Sequence, residues 1–101
     1  MALETFTKQP YEEFTIAGEF SAVLEVGETL STPVVSAMNK KTLANTTTDV
    51  TDQGSVVVDG TQVKVLVKAG ATKDTHKITI QTETSNSHKW EIDVLMKVKE
   101  T

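Results

Sequence analysis

From Ser55 onward, apolar and polar side chains alternate in blocks, and each block ends in turn-forming residues. Alternation places successive side chains on opposite faces, so each block reads as a strand with one dry and one wet face. Ser55 to Val58 is a short apolar run, and Asp59-Gly60 is a pair preferred by two-residue type I′ turns. Thr61 to Lys68 follows with Val63, Val65 and Val67 on one face, so the two segments predict a hairpin. Ala69-Gly70-Ala71 breaks the pattern. His76 to Glu83 restores it with Ile78 and Ile80, and Thr84 to Ser87 supplies the Ser and Asn of a second turn. In the last block Trp90, Ile92, Val94, Met96 and Val98 share one face, with Glu91, Asp93, Lys97 and Lys99 on the other.

The first half alternates less cleanly. Glu12 to Glu19 carries Phe14 and Ile16 at alternate positions, Gly18 and Gly27 suggest bends, and Leu30 to Met38 holds Val34 and Val35 behind Pro33. Two or three strands are predicted here. Pro33 is confined to a sheet edge or a strand start, because it lacks the N–H that a central ladder requires. Asn39 to Thr42 reads as a polar turn, Thr47 to Thr51 as a short strand and Asp52-Gln53-Gly54 as a further break. The sum is about seven short antiparallel strands, the pattern of an all-β, immunoglobulin-like β-sandwich. A small barrel is the alternative. No window repeats apolar residues at helical spacing, so no long helix is expected. Residues 1–10 precede the patterned segments and read as an extended arm, and residues 11–101 read as a single sandwich domain.

Composition reinforces the strand assignment and removes several functions. Of 101 residues, 17 are Thr and 13 are Val, side chains whose branching at Cβ favours strands. A chain of this length holds one core. With no Cys, disulfides, thiolate nucleophiles and zinc-thiolate sites are excluded together. All ten bases are Lys and fourteen acids oppose them, for a net charge of -4. The bidentate phosphate and guanine reader, Arg, is absent, so no nucleic-acid partner is expected. No apolar run exceeds the three residues seen at Val56 to Val58, so no membrane span is expected either. Met1 to Pro10 lacks the apolar stretch of a signal peptide, and synthesis in the cytoplasm without export is the expectation.

Candidate chemistry is sparse. His76 and His88 are the two histidines, and pairing about a turn at Ser85-Asn86 sets them toward opposite ends of one ladder, too far apart to share an ion. Asp49, Asp52, Asp59 and Asp74 fall in predicted turns, where carboxylates accept backbone N–H groups, and none follows calcium-loop spacing. Ser85 and His88 lack an oxyanion donor pair and a third orienting residue, while Glu12 and Glu13 point to opposite faces of a strand. No catalytic, metal or cofactor residue is assigned. Trp90 is in phase with Ile92 and Val94 and reads as core rather than as a sugar-stacking platform, although a glycan- or ligand-binding sandwich is the alternative function. The Asn45-Thr46-Thr47 sequon carries no weight without secretion. Lys64 and Lys68, like Lys97 and Lys99, read as solvating lysines on a wet face.

An interaction surface remains. Leu66 and Leu95 sit at positions whose parity predicts the wet face, and so are candidate contact residues. His88 to Lys99 is long for one strand, roughly 40 Å at strand rise, and part of it is a candidate for pairing with another chain. The arm, with Lys8, Gln9 and Pro10, is a third candidate.

Several short motifs carry a resemblance. Lys8-Gln9-Pro10 precedes an acidic first strand, Gly27-Glu28-Thr29 stands at a turn, and Val63-Lys64-Val65 leads to Ala69-Gly70. Lys77-Ile78-Thr79-Ile80, Glu91-Ile92-Asp93-Val94 and Lys97-Val98-Lys99-Glu100 continue the series. Together they resemble the small virion proteins of tailed bacteriophages called fibre-tail adaptor proteins. This chain has Lys where such proteins often have Arg in the later strands, and it lacks their tryptophan near Phe20 to Leu24. The resemblance implies a non-enzymatic, immunoglobulin-like structural module of the tail or neck, located in the virion, with other virion proteins as partners; a homo-oligomer and a monomer are both open. It implies no catalytic residue and no cofactor.

Overall fold

The computed structural model describes residues 4–100. Its seven strands are β1 (Glu4–Lys8), β2 (Phe14–Glu19), β3 (Leu30–Asn39), β4 (Thr51–Asp59), β5 (Gln62–Val67), β6 (Thr75–Thr84) and β7 (Lys89–Val98). They form two sheets, ordered β1-β7-β6-β3 and β2-β5-β4. Two separate sheets make a sandwich and not a closed barrel. The second, fifth and fourth strands oppose the third, sixth and seventh, which is the immunoglobulin-like arrangement; only the first strand differs, having joined the seventh instead of the second.

The alternating blocks form the core. Val63, Val65 and Val67 of β5 are fully buried, and so are Ile78, Ile80 and Met96 on the facing sheet. Each such side chain contributes roughly 1.5–3 kcal/mol on leaving water. Phe20 fills the space between the sheets as the β2 chain leaves its ladder, and Val35, Val50, Val94 and Val98 are among the residues that pack with it. β6 and β7 pair along nearly their whole length, from Thr75 opposite Lys97 to Glu83 opposite Lys89.

Several local expectations are corrected. Asp59 pairs with Gln62, so the β4–β5 turn is centred on Gly60-Thr61 and not on Asp59-Gly60. Gly60 has φ +61 and Thr61 is not among the positive-φ residues, the sign pattern of a type II′ turn, which takes Gly at its first central position. Thr47–Val50 is one turn of helix (α1) and not a strand; Val50 is buried by it, and the Val50 N–H reaches the Thr46 carbonyl at 3.0 Å. Asp52-Gln53-Gly54 does not end a segment but forms a bulge inside β4, where the register slips between Asp52 and Val57. Pro33 lies in β3, an edge strand, at a slip in register between Ser31 and Val34, in keeping with its missing N–H.

The largest correction concerns the arm. Glu4–Lys8 is a strand of the sandwich, paired with β7 in register from Glu4 opposite Val94 to Lys8 opposite Val98. This pairing is parallel, so the strands are not all antiparallel. Alternation explains the docking: Phe6 and Lys8 turn inward, and the Phe6 ring meets Phe14 of the other sheet edge-on, with centroids 5.7 Å apart. Met1 to Leu3 of the expected arm lie outside the described residues.

Candidate assembly surface

A sandwich has two open flanks where unpaired backbone groups could take up another strand. On the β3–β4 flank several of those groups on β3 are already used, and β4 is irregular. Pro33 offers no donor, and the Val35 carbonyl accepts Gln53 Nε2 at 3.0 Å. The Ala37 N–H donates to Thr47 Oγ1 at 2.9 Å and the Ala37 carbonyl accepts the Thr46 N–H at 2.9 Å. The Asn39 N–H donates to the Ala44 carbonyl at 2.9 Å. The loop between β3 and α1 thus acts as a short cover strand, with Met38 bridged to Asn45. β4 is interrupted by its bulge, inside which Ser55 Oγ accepts the Leu66 N–H at 2.8 Å.

The opposite flank is formed by β1 and β2, each paired on one side only, with β7 and β5 respectively. Lys8 ends β1 and is fully buried. Its ammonium donates to the Gln9 carbonyl at 2.7 Å and to the Pro10 carbonyl at 3.2 Å, both in the loop that follows its own strand. Burial holds this amine below its ordinary lysine value, and Glu12 and Glu13 pull weakly the other way. The loop is a tight turn, with the Glu12 N–H donating to the Gln9 carbonyl at 3.1 Å and the Gln9 N–H to Glu12 Oε1 at 2.7 Å. Tyr11 at its tip is 96% exposed.

The sequence-derived contact residues do not form one patch. Gln9 and Pro10 sit half-buried beside Lys8, on the β1 flank. Leu66 is half-buried on the outer face of one sheet, between Thr15 and Asp52 on the neighbouring strands. Leu95 is half-buried on the outer face of the other sheet, between Thr5 and Lys77. The sandwich lies between the two leucines. Lys8 is not an exposed contact residue, because its side chain runs into the interior.

One cluster has no counterpart in the sequence reading. The Glu28 carboxylate, whose side chain is wholly buried, accepts the Thr84 hydroxyl, the Glu25 N–H at 2.8 Å and His88 Nδ1 at 2.9 Å. The Thr84 and Glu25 hydrogen bonds hold this carboxyl below the usual range, against the opposing effect of burial, with His88 adding to them. Glu25 Oε1 lies 4.0 Å from His88 Nδ1, and the three ligand atoms fall within 4.8 Å of one another. Such a trio could hold a divalent cation, but Glu28 is already engaged by Thr84, the Glu25 N–H and His88, and these bonds tie the 25–28 loop to the β6–β7 turn. No sequence signal connects residues 60 positions apart before the fold is known. The His88 ring also meets Trp90 edge-on, with centroids 6.2 Å apart, and Trp90 packs half-buried against the core. His76 lies at the far end of the ladder, opposite Met96.

Compared with family models, curated proteins and solved structures, the chain matches none of them.

Proposed function

We propose that this chain is a non-enzymatic structural protein that assembles with other proteins through its β1–β2 flank, as an adaptor in the tail or neck of a tailed-phage virion. The observation that carries the reading is the asymmetry of the flanks: β3 and β4 have their edges covered or bulged, while β1 is a short strand held by a single ladder. Proteins that gain nothing from strand addition protect their edges, so a flank left open beside a protected one is where a partner's strand has access. The phage assignment rests on the resemblance of the motifs from Lys8-Gln9-Pro10 to Lys97-Val98-Lys99-Glu100. The hydrogen bonds that join the exposed His88 to the buried Glu28 and Thr84 serve the same reading by bracing one end of the sandwich. If a phage genome encodes the chain, mass spectrometry of its purified virions detects the protein at a fixed copy number per particle. Intact, infectious virions without it would overturn the assignment.

A further inference from the structure

The polar anchoring of β1 is directed at itself. Lys8 is the one ionisable group that β1 buries, and both of its hydrogen bonds end on Gln9 and Pro10, in the segment joining β1 to β2. Both acceptors travel with the strand, so neither of these side-chain bonds ties β1 to the body of the sandwich. What the body of the sandwich contributes is one parallel ladder with β7, extended by the Lys99 N–H donating to the Lys8 carbonyl at 2.9 Å, the cover over the buried Lys8 side chain, and the packing of Phe6 against Phe14. An identical β7 edge and an identical Phe14 are present on every copy of the chain.

The connection favours opening. Residues 9–13 must carry the chain from one sheet to the other and close in a tight turn around Pro10, and short, constrained hinges of this kind promote exchange of the element they hold. Pro10 also fixes its own φ and restricts Gln9 to extended conformations, which suits a straightened hinge.

We infer that β1 is exchanged between copies, so that Glu4–Lys8 of one chain pairs with β7 of a second copy and the partner at this flank is the chain itself. The inference rests on the reading of the β1–β2 flank as the assembly surface, and it specifies what occupies it. The exchanged strand keeps its ladder with a β7 edge and its Phe6–Phe14 contact, so the cost is that of association and of opening the turn at residues 9–12. The closed chain holds its own strand at an effective concentration of about millimolar, as short linkers do, so exchange sets in as chain concentration approaches that range or where an assembly gathers copies together. Exchange need not be reciprocal: each copy that donates β1 forward leaves its own β7 edge to receive the next, which builds a ring or a chain.

The absence of cysteine makes the test direct. Thr7 and Lys97 are exposed Cα partners across the β1–β7 ladder. One full-length chain carries Thr7→Cys, a second, isotopically heavy, carries Lys97→Cys, and the two are mixed, concentrated and oxidised under mild conditions. Exchange predicts that covalent heterodimers joined between positions 7 and 97 predominate over both homodimers and rise steeply with concentration. The double variant in dilute solution bridges within one chain and confirms the register. Thr5→Cys with Leu95→Cys, also Cα partners, provides a second pair should the first disturb folding. Heterodimers at no more than the statistical share, while the double variant bridges internally, would sink the inference. Because the experiment uses purified protein, this result is independent of whether the chain is found in virions.

Discussion

His76 is buried at 3% exposure; its Nδ1 lies 3.0 Å from Thr46 Oγ1, and its Nε2 is buried with no partner among the described residues. Burial pushes its pKa down; Asp74 and Asp49 oppose this, and Lys8, two strands over on the same inner face, adds to the depression. The neighbouring strands present Asn39 and Met96, which supply no countercharge. The imidazole is therefore neutral in the fold. As pH falls through the unfolded value of about 6.5, the unfolded chain takes up a proton that the folded chain refuses, so stability declines below that pH until the lower folded value is reached. Urea titrations at about pH 7.5 and about pH 5 should show a falling midpoint that His76→Gln flattens, and a wild-type midpoint unchanged between them would contradict the burial argument. At Gly70 the constraint is steric. Its φ is +90, and a Cβ at this position would stand only 2.8 Å from Val98 Cγ2, so Gly70→Ala combines a left-handed backbone with a clash. A loss of about 1–3 kcal/mol is expected by thermal or urea unfolding, and a neutral outcome would mean that the loop relaxes freely.

At the scale of elements, β1 carries the sharpest prediction. An arm could be removed without consequence, but β1 covers the edge of β7, and Phe6 covers Phe14. Removing residues 1–8 should lower the urea midpoint and raise binding of a dye for exposed apolar surface, whereas a truncated chain as stable as the full one would return β1 to the status of an arm. The strands of the second half were legible because burial on one face forces period-two alternation, and Val63-Val65-Val67 and Ile92-Val94-Met96-Val98 display it without interruption. β1 was not, because Thr5, Phe6 and Thr7 offer a single inward aromatic, and the other inward residue is a lysine, which reads as polar whatever its surroundings. The helical turn at Thr47–Val50 escaped for a related reason. Its threonines favour strands intrinsically, but the Thr46 carbonyl and the burial of Val50 decide the local geometry. The one-residue shift of the β4–β5 turn follows from Gly60, which suits either turn type and so leaves the register to the packing of Val63.

For the molecule as a whole, the fold class was accessible and the assembly surface was not. An all-β sandwich of about seven strands is readable from the alternating blocks, although the count included Thr47–Thr51 and left out β1, whereas the covering of one flank depends on hydrogen bonds such as Gln53 to Val35 and Thr46 to Ala37, which join segments with no shared pattern. The same holds for Glu28 and His88, 60 residues apart and in contact only because β3 and β7 lie in one sheet. Another consequence lies in the union of β1 with β7. On the ribosome, β1 emerges before every other strand, yet the edge it needs belongs to the last one. At roughly 5–20 residues per second, several seconds separate the two, so β1 of each nascent chain stays unpaired until its own β7 has been made, and the sheet closes last with the first strand made.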